Sequence, residues 1–365
     1  TCGVGRWGGM KRSGLIARRV LCAVGAKMKE IGIEGGVLTA LSLGIALRER
    51  GVPVTVCEAS SYPRHRVCGE FINGVTEDTL ENLGIADIFN DALRHHSTRW
   101  WMGSKQILEA RLTRPALGMS RWEMDERLRI RFESIGGRLL TKHRVQPELR
   151  EGLVWTAGRR LEKESQLLGL KAHFEGINLN GFLEMHIGVG AYVGLTPITL
   201  DGSKVNVCGL FKKGPRAKGV NPIVDALRNC GLGALSDRLE GAQMDPVSLT
   251  GISGFQLGGQ RVLDRFCSLG DAERMIPPFT GNGMSMAFES AECALPHLLS
   301  YCEGVETWEK VTEDVRDSLN HRFHKRVRLA LKLHRCLTHE VGRKILSSAA
   351  AAGVLPFSWL HRRLS

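Results

Sequence analysis

From Met28 onward the apolar positions run as a short block, a helical stripe and a second short block. Residues 31–33 predict a brief buried strand, and a glycine pair follows it. Leu38, Leu41, Ile45 and Leu47 then fall at helical spacing until Gly51, where the helix should end. Residues 52–57 predict a second buried strand that closes on Glu58. Together they form a βαβ unit of about 30 residues. Further along, the segments LKAHF, LEMHI, AYVGL and VNVCGL within 171–211 predict an antiparallel sheet. Ser120, Arg121, Asp125 and Leu128 precede or occupy a predicted helix whose apolar face continues through Ile130 and Phe132. Phe323, Val327, Leu331 and His334 mark another helix within 316–344, with cations on its other faces.

The chain has 365 residues, enough for two packed units, and 43% hydrophobic against 24% charged residues excludes wholesale disorder. Its 43 glycines are about 12% of the chain, above a background of roughly 7%, and predict many tight turns. The net charge of +12 is terminal: residues 1–27 carry six cations and no acid, and residues 316–344 carry nine cations against Asp317 and Glu340. The body between them is close to neutral. That distribution argues against nucleic acid as a partner, since no recognition motif or aromatic platform accompanies it.

Residues 1–27 are expected to be a basic leader, disordered or not native. Upstream sequence joined to a start at Met28, a disordered leader and a targeting peptide all remain open. The cations of 316–344 suit a solvated helix face, with contact to an anionic membrane surface as the alternative. The cysteines show no CxxC pair and no spacing suited to a metal, so reduced thiols in a cytoplasmic enzyme are expected. The apolar runs 37–47 and 347–360 fall short of the roughly 18 residues of a membrane span.

Three segments carry candidate chemistry. In the first, Gly35 and Gly36 precede a helix whose N-terminal amides would face a pyrophosphate, and Glu58 would accept hydrogen bonds from ribose hydroxyls. The fingerprint G-x-G-x-x-G is degraded there, with Val37 and Ala40 at its second and third glycine positions and Glu34 just before the loop. The second segment, residues 61–74, reads SYPRHRVCGEFING, and its Arg64 and Arg66 are candidate phosphate ligands. The third, residues 268–298, runs Gly270-Asp271, then Pro277-Pro278, then Gly281-Asn282-Gly283, which opens a helix near Met284. Asp271 suits a ribityl hydroxyl, and the helix N-terminus suits negative charge on a reduced flavin ring.

These segments together resemble the FAD-dependent oxidoreductases of the geranylgeranyl reductase type, within the p-hydroxybenzoate hydroxylase-like flavoprotein group. The resemblance runs from Met28 to about Leu337. The family's Pro-Arg-x-Lys/Arg-x-Cys-Gly-Glu loop stands here as Pro63 to Glu70, and its Gly-Asp…Pro-Pro-x-x-Gly-x-Gly block as Gly270 to Gly283. The resemblance implies a Rossmann-like FAD-binding domain with an inserted antiparallel substrate sheet and C-terminal helices. It divides the chain into 28–96, 114–170 and 260–300 for FAD, 97–113 and 171–259 for substrate, and 301–365 for the helical segment.

It also implies roles residue by residue. Glu58 would meet the adenosine ribose, Arg121 would help hold FAD and Asp271 would meet the ribityl chain. Gly281, Asn282, Gly283 and Met284 would line the ring, and Cys68 with Gly69 would lie beside it. Cys68, Tyr192 and Pro278 are flavin-proximal candidates, with no acid or base identified. Several departures stand out. The hydroxylases' Asp-Gly pair appears as Ala157-Gly158-Arg159, and the reductases' Tyr-x-Trp-x-Phe-Pro motif survives as Tyr192, Gly194, Thr196 and Pro197. No Trp-x-Trp-x-Ile-Pro halogenase signature is present. His173 and His186 are expected in sheet or core roles. The implied activity is reduction or monooxygenation of a hydrophobic, isoprenoid- or polyketide-like molecule, with NAD(P)H as donor. The alternative is a flavin-free relative that keeps the fold as a binding protein, motivated by Val37, Ala40 and Glu34.

Overall fold

The computed structural model describes residues 28–159, 162–213, 221–260 and 266–365. The expected basic leader, 1–27, lies outside the described residues. The predicted βαβ unit is present as strand Ile31–Glu34, helix Leu38–Glu49 and strand Val54–Cys57. These strands lie in a five-stranded parallel sheet, ordered Cys267–Ser268, Leu153–Trp155, Ile31–Glu34, Val54–Cys57, Arg138–Leu140. Every residue of the helix from Leu38 to Leu47 is buried, because the sheet covers one side and helices Arg121–Ser134 and Gly283–Cys302 cover others.

Helix Arg121–Ser134 buries Met124, Leu128 and Phe132, a repeat of four residues that matches one helical face. Ile130 was expected on that face and instead is 53% exposed, since two residues from Leu128 is nearly half a turn out of phase.

An eight-stranded sheet packs beside the parallel one. Its order is Gln243–Ser253, Leu167–Glu175, Lys204–Lys212, Ala191–Pro197, Leu183–Gly188, Leu93–Met102, Lys105–Gly118, Phe71–Ile72. The four alternating segments form its centre and pair antiparallel, but not in chain order, since Lys204–Lys212 lies between Leu167–Glu175 and Ala191–Pro197. The sheet as a whole is mixed rather than purely antiparallel, because Leu93–Met102 runs parallel to Leu183–Gly188. Those two strands are joined through the parallel sheet, and such a crossover returns the chain in the same direction. Leu93–Met102 and Lys105–Gly118 run unbroken through residues 97 and 113, where domain boundaries were expected.

The C-terminal segment forms helices Trp308–Thr338, Glu340–Ala351 and Phe357–Leu364. Val311, Val315, Leu319, Phe323 and Val327 dock the long helix on the core. Two of its cations are not simply solvated: Arg322 and Arg326 both hold Glu289, 1% exposed, at 2.9 and 2.8 Å. Among the described residues, no helix is long and apolar enough to cross a membrane.

Candidate functional site

Four of the five parallel strands end along one edge, and each is followed by a candidate residue. Gly35 and Gly36 follow the first, Glu58 the second, Ala157-Gly158-Arg159 the third and Gly270-Asp271 the fourth. Crevices outside the carboxyl ends of such strands are where open α/β sheets bind ligands. The first and third loops touch. Gly35 has φ of +100°, and a Cβ there would stand 2.6 Å from the Ala157 nitrogen, so glycine is required on both counts. Thr156 Oγ1 ties the two together by donating to the Gly35 carbonyl at 2.7 Å.

Glu58 is buried, and its carboxylate accepts the Gly36 N–H and the Ser60 N–H, both at 2.9 Å. Tyr62 Oη donates to the Gly36 carbonyl across the same loop. Arg64 and Arg66 stand 3.8 and 4.0 Å from the Glu58 oxygens, and Arg66 Nε also meets Asp125 at 3.0 Å. Arg64 Nε and Arg66 Nη2 are buried without a hydrogen-bond partner. Arg121 grips both Asp125 oxygens at 2.9–3.0 Å, so one buried carboxylate orients two of the predicted cofactor cations.

Val37 is the N-cap of the first helix, with φ of −115° and no side-chain cap. That extended backbone suits any residue, so valine costs nothing conformationally and only its half-buried side chain distinguishes it from glycine. Ala40 is wholly buried within the helix. Glu34 sits with Cys57, Arg150 and His143, and burial raises its pKa against the opposing pull of those three groups.

At the other end of the track, Cys68, Gly69, Arg159, Tyr192, Asp271 and Pro278 line one cavity with about 610 Å³ of unfilled space, its mouth included. Gly194, Phe279 and Met185 also line it. Asp271 is half-buried, and burial raises its pKa against the opposing charges of Arg159 and Arg121. The Arg159 guanidinium stacks 4.4 Å over the Phe255 ring, and its Nε has no partner. Tyr192 Oη is likewise buried and unpartnered by geometry, with the Phe279 backbone near it, and burial holds its pKa well above the ordinary range. Cys68 Sγ lies 3.6 Å from Met284 Sδ and accepts the Glu70 N–H at 3.5 Å; burial pushes the thiol's pKa up. It is therefore protonated at neutral pH and no nucleophile.

Asn282 N-caps helix Gly283–Cys302 without a side-chain cap bond, and its Oδ1 is buried and unpartnered. Gly281 closes the preceding turn at φ of +67°, with the Phe71 ring packed where a Cβ would be. Thr76, Asn221 and Thr307, in contrast, cap their helices through their side chains. The two helices that open on this edge thus keep first-turn amides for an anion.

Three features were not apparent in the sequence. Arg159 is one, although a cation just after a parallel strand was the available signal. Another is a buried network beneath the Cys68–Glu70 turn: Glu70, 0% exposed, meets Lys171 at 3.2 Å, His173 Nε2 at 2.6 Å and the Arg121 N–H at 3.0 Å. His65 Nδ1 is 3.1 Å from the same Lys171 ammonium. His186 pairs with Glu184 and stacks on Trp101. The third feature is a larger apolar cavity, with about 960 Å³ of unfilled space, between the eight-stranded sheet and the C-terminal helices. It shares Phe71, Met185, Gly194 and Phe279 with the first cavity, and Thr196 lies within it.

No protein-family model matches the chain, and no curated protein matches it. Solved structures do. It is similar to p-nitrophenol 4-monooxygenase PnpA from Pseudomonas putida DLL-E4, at 13% identity and TM-score 0.73 over 92% of this chain and 97% of that one. PqsL of Pseudomonas aeruginosa, described as a probable FAD-dependent monooxygenase, aligns at 14% identity and TM-score 0.66 over 88% and 100%. The fold is that of the FAD-dependent monooxygenases. A geranylgeranyl bacteriochlorophyll reductase-like protein from Thermoplasma acidophilum shares it too, at 14% identity and TM-score 0.69 over 89% and 91%.

Proposed function

We propose that the chain is an FAD-dependent oxidoreductase, a reductase or monooxygenase, acting on a hydrophobic isoprenoid- or polyketide-like molecule with NAD(P)H as electron donor. The observation that carries this reading is the pair of adjoining cavities. One lies at the strand ends among Cys68, Arg159, Asp271 and Pro278, and the other is larger and almost wholly apolar. The donor set fits FAD. Arg64, Arg66, Arg159 and Asn282 each leave a buried polar atom without a hydrogen bond, an arrangement that costs free energy in an ordinary core.

FAD, when bound, supplies two-electron transfer to substrate or to oxygen. The chain's own residues hold and shield. Glu58 accepts from ribose hydroxyls, Arg64 and Arg66 offer guanidinium N–H groups to phosphates, and the amides of helix Leu38–Glu49 add their dipole. Asp271 accepts from the ribityl chain, and the amides opening at Gly283 stabilise negative charge. Phe279, Phe255 and Met185 keep water from the ring site. Among the described residues of the smaller cavity the Cys68 thiol stays protonated at neutral pH and offers no nucleophile, which suits chemistry carried by the cofactor.

The test is an FAD titration of the purified chain, read by visible absorption. Wild type should bind, and Asp271→Ala should bind more weakly. Binding by Val37→Gly but not by wild type would instead favour the flavin-free relative, with Val37 as the obstruction.

A further inference from the structure

His361, on helix Phe357–Leu364, is 7% exposed and lines the larger cavity. Its Nδ1 is engaged from the strand opposite: Thr113 Oγ1 is 2.6 Å away, and the Thr113 backbone N–H points at it from 3.4 Å. Ser365 Oγ stands 3.5 Å from the same nitrogen. A backbone N–H can only donate, so Nδ1 is the ring's acceptor and the proton of the neutral imidazole resides on Nε2. Burial lowers the pKa of His361, which keeps the ring neutral. Nε2 is buried and has no partner. The neighbouring lining is apolar: Leu112, Leu346, Leu355, Phe357, Leu360 and Leu364. A donor fixed in its tautomer and left unmatched beside a largely apolar chamber is the pattern of a ligand-orienting group.

We propose that His361 Nε2–H anchors the carbonyl oxygen of an otherwise apolar ligand in the larger cavity, and so selects keto-bearing hydrophobic molecules over hydrocarbons. This deepens the proposed function and rests on its assignment of that cavity to substrate. Thr113 acts as a positioning residue, setting the tautomer and ring angle. The chamber adjoins the strand-end cavity at Gly194 and Phe279, so the anchor fixes which part of the ligand reaches that passage.

The test uses two probes of one carbon skeleton, benzylacetone and butylbenzene, titrated calorimetrically into the full chain. His361→Phe should weaken benzylacetone roughly five-fold, the size of one hydrogen bond, and leave butylbenzene nearly unchanged. His361→Gln, which keeps a donor, should restore part of the difference. Thr113 is exposed, so Thr113→Val preserves the fold and should reduce the ketone's affinity by a smaller factor even if the His361 variants fold poorly. Parallel losses for both probes, or binding of neither by wild type, would overturn the proposal. FAD binding is read separately in the same variants. A chain that binds no FAD yet shows the ketone-specific loss refutes the flavin reading and supports the anchor.

Discussion

Replacing Glu70 with Gln should be among the most damaging single changes near the site. The carboxylate and the Lys171 ammonium are both 0% exposed and 3.2 Å apart. At an effective dielectric of about 20, that separation gives roughly 5 kcal/mol of attraction, set against the cost of burying both ions. Burial alone would raise the Glu70 pKa. The His173 hydrogen bond and the Lys171 charge outweigh it and hold the group below the ordinary range. Glu70→Gln leaves the buried ammonium with neutral acceptors alone, the new amide oxygen and His65 Nδ1, and no counter-charge, and should cost about 3–5 kcal/mol. Lys171→Met should cost less, since Glu70 keeps His173 and the Arg121 N–H. The double variant removes both charges and should recover most of the loss, so urea unfolding of the four proteins should yield a coupling energy of at least about 2 kcal/mol. Strictly additive losses would refute the idea that the two charges depend on each other.

Three further outcomes follow from particular contacts. Gly281→Ala must place a Cβ at positive φ against the Phe71 ring; it should lose about 2–4 kcal/mol in urea unfolding and weaken FAD in the titration. Burial depresses the His95 pKa to about 4, so the unfolded chain binds the extra proton and stability falls as pH drops from about 6.5 towards 4. Between pH 7 and pH 5 that group should cost about 2 kcal/mol, and His95→Gln should shrink the loss when both pH values are compared by urea unfolding. Gly194→Trp has room at its Cβ, whose nearest neighbours are 3.9 Å away, and should abolish butylbenzene binding; because Gly194 lines both cavities, FAD should bind more weakly in the same variant.

What the sequence disclosed was local and periodic. Strands Ile31–Glu34 and Val54–Cys57 and the helix between them were legible because burial writes itself as a period along a few adjacent residues. The turns at Gly35, Gly270 and Gly281 were legible because their conformations favour glycine. Ile130 misled because an apolar residue carries no mark of which face it occupies. The Glu70, Lys171 and His173 network was invisible for another reason. Its members lie about a hundred positions apart, each unremarkable alone, and only the pairing of sheet strands brings them together. His361 was equally silent, since its significance depends on Thr113 across the chamber. The stripe through Phe323 and Val327 indicated a docked helix, but not that Leu333 and Leu337 on the same helix would wall a cavity.

Helix Glu340–Ala351 contributes Leu346 to the chamber wall, yet none of its described residues is buried, and Val341 and Ile345 are 70% and 65% exposed. Little apolar contact is lost when such a segment detaches, so its local opening requires far less free energy than global unfolding. Backbone amides in this helix should therefore exchange with solvent well ahead of those in Leu38–Glu49.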